Sequence, residues 1–187
     1  IRAWAIGGAS RLLTFKRCHS FDELRALQLE YKVADSKTFI DVGYETHSVL
    51  SEAAKYKWLG MRGTDLVDFQ HVSGNGFVRR LYSKPTRVNP ASGRISPPVF
   101  RWSNPSVKDI LLMLRTGRSH PWEVCDLKDL ADEYARQLDS ERKREVQDKQ
   151  GRVKLVWQRY RKDNHALDCE CMNLVAASIC KVFRDQD

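Results

Sequence analysis

Apolar residues in this 187-residue chain recur with two different periods, and the switches between them divide it into strands and helices. Residues 1–6 and 11–15 read as strands, with Gly7-Gly8-Ala9-Ser10 as the turn of a hairpin. Ser20-Phe21-Asp22-Glu23 has the spacing of a capping box, and Leu24, Leu27 and Leu29 supply the apolar positions of the short helix that runs to Tyr31. Thr38-Phe39-Ile40-Asp41-Val42-Gly43 reads as a central strand covered on both faces, because β-branched and aromatic residues flank Asp41. A helix over residues 47–56 then leads to a second core strand at residues 57–61, which ends at Arg62-Gly63. A helix of that length is the usual crossover between parallel neighbours, so these two strands are expected to pair in parallel.

In the second half, Asn104-Pro105 opens a helix through Ile110, Leu111, Leu112 and Leu114 that Gly117 stops. Residues 127–147 read as a polar helix whose run from Asp139 to Glu145 is a solvated face. Val153, Leu155 and Trp157 alternate with Lys154 and Gln158, the pattern of a sheet-edge strand over residues 152–160. The last helix follows Lys162-Asp163-Asn164. On its wheel Asp168, Cys171, Met172, Val175, Ile179 and Val182 form one stripe, whereas Glu170, Asn173, Lys181 and Arg184 fall opposite. An alternating αβ pattern of this kind predicts an α/β fold.

Asp41 and Asp168 thus become isolated carboxylates among apolar positions. An ionised carboxylate in a core needs a cation, a donor or a metal to offset its lost hydration. Two such acids suit a hard divalent cation with oxygen ligands. The alternative is local: Asp41 caps the turn at Gly43, and Asp168 is an acid in the first turn of its helix, where the dipole favours negative charge. His165 precedes Asp168 by three residues and shares its end of the helix, where it either orients phosphate or water as a general acid or base, or simply caps and packs. Glu45 is a reserve ligand, and the wheel turns Glu170 away. Cys169-x-Cys171 beside His165 lacks a second pair with ligand spacing and does not complete a zinc set.

Length suits one domain that buries roughly two-thirds of its unfolded surface. Five cysteines, Cys18, Cys125, Cys169, Cys171 and Cys180, form no disulfide framework and predict reduced thiols in a cytosolic setting. The apolar runs are too short for a membrane span and no signal peptide is present, so a soluble protein is expected. Charge changes the picture more. Residues 72–121 hold nine basic side chains against one acid, and all six prolines of the chain, so they read as a basic, loop-rich insertion. Phosphate backbones are the natural partner of a segregated basic patch, the other reading being a solvated loop. Arg62 together with Arg79, Arg80, Lys84, Arg87, Arg94 and Arg101 are the candidate DNA contacts. No Gly-x-x-x-x-Gly-Lys-Ser/Thr loop is present, which excludes a P-loop ATPase within this chain.

Arg2-Ala3-Trp4, Ser10-Arg11-Leu12-Leu13, Ile40-Asp41-Val42-Gly43-Tyr44-Glu45-Thr46, Trp58-Leu59-Gly60-Met61-Arg62-Gly63 and Asn164-His165-Ala166-Leu167-Asp168-Cys169-Glu170 occur in matching order in a known family. Over nearly its whole length the chain resembles the nuclease domain of GpA-type phage terminase large subunits. The resemblance implies an RNase H-like fold, a mixed central sheet flanked by helices. It also implies an endonuclease that uses Mg²⁺ or Mn²⁺, in a two-metal arrangement, to cleave concatemeric double-stranded DNA during packaging in the host cytoplasm. Carried over by position, Asp41 looks like the acid of the fourth strand and Asp168 like that of the last helix. Family members place another Asp on a strand just before the hairpin that here begins at Ile1. The expectation is therefore a fragment of a longer chain, one nuclease domain over residues 1–187 that lacks that strand and an upstream ATPase domain and binds metal weakly alone. A small terminase subunit and a portal are the further partners implied. Two other readings stay open: a resolvase- or transposase-like nuclease on the same fold, and a DNA-binding or motor-docking module with an incomplete metal site.

Overall fold

The computed structural model describes residues 1–74, 76–87 and 96–183. In chain order the elements are β1 (Arg2–Trp4), β2 (Ser10–Leu12), α1 (Phe21–Glu30), β3 (Phe39–Asp41), α2 (Thr46–Tyr56), β4 (Leu59–Thr64), β5 (Phe69–Ser73) and β6 (Gly76–Arg80). They continue with β7 (Thr86–Arg87), β8 (Pro98–Ser103), α3 (Asn104–Arg115), β9 (Trp122–Val124), α4 (Ala131–Leu138), β10 (Glu141–Gln147), β11 (Val153–Arg159) and α5 (His165–Ile179). This is the mixed α/β pattern expected, with the strands among the described residues distributed over four sheets. Two compact units result, one of Ile1–Phe15, Lys108–Ala177 and the residues from Lys181, the other of Lys16–Val107 with Ser178–Cys180.

The unit that begins at Lys16 is built on a four-stranded sheet in the order β3-β4-β8-β7. β3 and β4 run parallel with α2 as their crossover, as the spacing predicts, and β8 continues the parallel set while β7 is antiparallel. Trp58 and Met61 are fully buried. The Trp58 indole N–H is satisfied by Gln28 Oε1 of α1 at 2.7 Å. Ser20 caps α1 as the sequence predicts, its hydroxyl accepting the Glu23 N–H at 3.1 Å. Gly60 admits no side chain, because a Cβ would lie 2.9 Å from Val99 on the neighbouring strand. The region expected to be a loop-rich insertion instead supplies interior structure. β8 lies between β4 and β7, and Val99, Phe100 and Trp102 are buried. Its prolines do not exclude a strand, since Pro98 occupies the first strand position.

In the other unit β1 and β2 form the predicted hairpin, and β9 adds in parallel to β2. Leu12, Tyr134, Leu138 and Ala166 form a core cluster against which Phe15, Cys125 and Leu127 pack. The long polar helix expected over residues 127–147 is not formed. α4 stops at Leu138, and residues from Glu141 onward pair with β11 in an antiparallel hairpin. Glu, Lys and Arg favour helix intrinsically, but tertiary partners override that preference here. The Tyr160 and Arg161 N–H groups both donate to the Ser140 carbonyl, at 2.8 and 3.2 Å. Lys108 Nζ holds the Glu141 carboxylate at 2.6 Å, with both side chains buried.

α5 is turned differently from the wheel. Its buried residues are Ala166, Leu167, Glu170, Cys171, Leu174, Val175 and Ala177, so Glu170 faces inward and Asp168 is only half-buried. Glu170 is drawn in by Arg2, whose side chain is wholly buried. Arg2 Nε and Nη2 grip the two Glu170 oxygens at 2.8 and 3.0 Å, and Nη1 donates to Ser10 Oγ and to the Glu123 carbonyl. The guanidinium lies 3.3 Å from the centroid of the Trp122 ring. The Tyr134 hydroxyl donates to Glu170 Oε1 at 2.6 Å.

Removing one partner of this pair leaves an uncompensated buried charge. Glu170→Leu is expected to cost about 3–5 kcal/mol in urea unfolding, and Arg2→Met combined with Glu170→Leu to recover most of that loss. Burial, followed by the Glu170 charge, pushes the Tyr134 phenol above its ordinary value of 10.0. A phenol harder to ionise when folded contributes stability that is complete below its unfolded value and is lost as pH rises through its native value. Circular dichroism against pH should therefore show alkaline destabilisation above about pH 10 that is shallower in Tyr134→Phe.

Candidate functional site

Asp41 closes β3 at the carboxyl ends of the parallel strands, the position where open α/β sheets usually place ligands. It is exposed, and among the described residues β3 is an edge strand, which corrects the expectation of a central strand covered on both faces. The strand has three residues and leaves the sheet one position later, where the Val42 N–H makes a last ladder bond to Met61 O at 2.9 Å. Asp41 Oδ1 accepts the Gly43 N–H at 2.8 Å, the local turn cap that was the alternative reading. Gly43 fits because a Cβ there would crowd Oδ1 at 3.1 Å. Glu45, exposed and left-handed with φ of 45°, starts α2 without a side-chain cap.

Asp168 stands in the first turn of α5, where its N–H donates to the Asn164 carbonyl at 3.0 Å. That helix end is fastened by polar groups. Gln137 Oε1 accepts the Ala166 N–H at 2.8 Å, and Asn164 Oδ1 accepts from Arg159 while its amide reaches Glu141. Cys171, buried one turn further on, registers the surrounding charges. Burial pushes its thiol up, Lys108 opposes the rise, and Asp168, Glu141 and Glu170 add to it. His165 is exposed at the first position of α5. Cys169 is exposed and Cys171 buried, so the two thiols diverge around the helix.

The basic candidates divide by strand register. Arg62 of β4 and Arg101 of β8 are partners in adjacent strands and share a face. The Arg101 guanidinium lies 5.8 Å from the Phe69 ring, and Phe69 is the cross-strand partner of Arg80, which donates to the Tyr82 hydroxyl at 3.1 Å. Arg101 and Arg80 are thus each set against an aromatic ring, and Arg62 is the strand neighbour of Arg101. Arg79 is paired with Asp68 at 3.2 Å. Arg87, opposite Pro98, falls on the other face of the sheet from Arg101. Lys84 is exposed beside Ser83, whose hydroxyl accepts the Arg101 N–H at 3.0 Å. Arg94 lies outside the described residues.

Asp41 belongs to one compact unit and Asp168 to the other. Both offer the oxygen donors a hard cation takes, and Asp41 Oδ2 is not used by the turn bond. Among the described residues no three His, Cys, Asp or Glu side chains come together as a metal-holding group. Sequence reasoning missed Arg2, Glu170, Lys108 and Glu141. For the first pair, a helix apolar nearly all round left the inward face undefined.

A mixed α/β chain with an exposed acid at the carboxyl ends of parallel strands, a half-buried acid opening a helix, and arginines set on aromatic rings has the parts of a nucleic-acid enzyme. A family model described as the terminase large subunit gpA endonuclease domain matches residues 72–186, more than half of the chain, and the chain belongs to that family. The matched stretch contains His165 and Asp168 and starts after Asp41 and Arg62. No curated protein and no solved structure matches the chain. Among the described residues no helix is long and apolar enough to cross a membrane.

The burial pattern makes a direct expectation for thiol chemistry. A disulfide-exchange reagent should modify Cys169 and Cys180 in the native protein and reach Cys171 only on unfolding, as mass mapping of the labelled cysteines would report.

Proposed function

We propose that this endonuclease domain cleaves concatemeric double-stranded DNA by metal-dependent phosphodiester hydrolysis during viral genome packaging. The family match over residues 72–186, a stretch that includes α5, supports the reading. Asp168 and Asp41 are the residues that would hold Mg²⁺ or Mn²⁺, in a two-metal arrangement. That both serve the same centre rests on the sequence motifs. A bound divalent cation supplies activation of water and charge stabilisation at the leaving oxygen. The chain's own groups do the rest. His165 orients water or a phosphate oxygen, and Arg62, Arg80 and Arg101 hold the DNA backbone, joined by Lys84, Arg79, Arg87 and Arg94. An ATPase domain in the same protein, a small terminase subunit and a portal are the partners this role requires, in the cytoplasm of the host. An RNase H-like fold is part of the same proposal.

A DNA-binding module without cleavage is the second reading, favoured by the arginine and aromatic cluster, whose positive charge would attract phosphate without help from either acid. The two separate on one variant. In the full-length protein Asp168→Asn is expected to keep the fold and DNA affinity while plasmid cleavage with Mn²⁺ falls about 100-fold or more, equivalent to about 3 kcal/mol. Undiminished cleavage would remove Asp168 from the site. A parent protein that binds DNA and never cuts it, at any Mn²⁺ concentration, would leave the binding module as the function.

A further inference from the structure

We infer that the outer face of the β10–β11 hairpin is a second DNA-backbone contact surface, with Arg142 and Arg144 as its phosphate ligands. The inference rests on DNA being the substrate, and it concerns residues outside the basic cluster described above. Residues directly opposite in an antiparallel pair share a face, and alternate residues along a strand return to it. Arg142 pairs with Gln158, Arg144 with Val156 and Val146 with Lys154, so these six share one face. Glu141, Lys143, Glu145, Leu155, Trp157 and Arg159 take the other.

The second face is the attached one. Lys143 and the Trp157 indole N–H both bind Asp109 of α3, each at 2.8 Å, and Glu141 is locked to Lys108. The first face alternates with the residues that make those anchors, carries three cations and no acid, and both of its arginines are exposed. Among the described residues neither arginine has an ion pair. Both instead lie over the ring of Tyr160, Arg144 at 4.6 Å and Arg142 at 5.8 Å from its centroid.

Two guanidinium groups on one ring repel each other unless an anion comes between or above them. The ring stiffens both side chains, so less rotamer freedom is lost when they bind. Their planar donors fit phosphate oxygens bidentately, and their Cα atoms are about 6.6–6.8 Å apart along the strand, two residues of rise. The hairpin is also basic at its turn, where Asp148 is already engaged by Arg152 at 3.0 Å. An acidic protein surface is the competing partner, and a lattice of base-specific contacts is not expected, because these groups read charge and spacing and not sequence.

Binding of a labelled random-sequence duplex, measured from low to high salt, tests the surface. Arg142→Gln with Arg144→Gln should lower the slope of log K against log[salt] by about 2, equally for any duplex sequence, while Arg142→Lys with Arg144→Lys keeps it. Arg62→Gln with Arg101→Gln serves as the reference pair, and far-UV circular dichroism confirms folding of each variant. If the parent binds DNA and the reference pair lowers the slope but the hairpin pair leaves it unchanged, the hairpin proposal is overturned and the DNA reading stands. If the parent itself does not bind DNA, the proposed function fails first and this inference with it.

Discussion

The buried ion pair between Arg2 and Glu170 sets the rotation of α5, and much of one compact unit is arranged to tolerate it. A guanidinium and a carboxylate removed from water each carry a desolvation penalty that mutual attraction offsets only when the remaining donors and acceptors are also satisfied. They are satisfied here by Ser10, the Glu123 carbonyl, Tyr134 and the face of Trp122. Those groups come from β2, β9 and α4, so a single charged pair ties the hairpin at the start of the chain to the last helix. Holding Glu170 inward puts Asp168, two residues earlier, at the margin of the core. A half-buried acid in the first turn is stabilised by the helix dipole and remains within reach of solvent and ligand.

The other compact unit solves a different problem, the exposure of a carboxylate without loss of its geometry. Asp41 is placed by the last ladder bond of β3 and oriented by the Gly43 amide, which needs neither burial nor a cation. Nearby in the same unit, aromatic rings take the place of acids as partners for arginine. A guanidinium on a ring is held in position without being neutralised, whereas an Asp in that place would cancel the charge that attracts phosphate. The same device recurs on the β10–β11 hairpin with Tyr160. Arg79, paired with Asp68, shows the contrast within one strand.

Much of the local structure was legible from spacing. The Gly7-Gly8 hairpin, the Ser20 cap, the parallel β3–α2–β4 unit and α3 with its stop at Gly117 all follow from turn chemistry, capping and apolar period, each of which acts over a few residues. The resemblance stated from five short motifs is matched by the family found over residues 72–186. Three features were misread, and each depends on distant partners. Charge and proline over residues 72–121 suggested a loop, but β8 is interior because β4 and β7 flank it. The run from Glu141 has strong helix formers and becomes a strand because β11 pairs with it and Lys108 anchors it.

The face of α5 is the clearest case. Its residues are apolar on almost every side, so periodicity selects no unique inward direction, and a wheel places Asp168 in the core by default. The chain by itself determined that the helix exists, where it starts and that an acid stands in its first turn, since those depend on residues within one or two turns. Which acid is buried was decided only by the tertiary structure, through Arg2, 168 residues away in sequence. Long-range pairing of two charges has no period and no local signature, and for that reason it is visible only when the chain is folded.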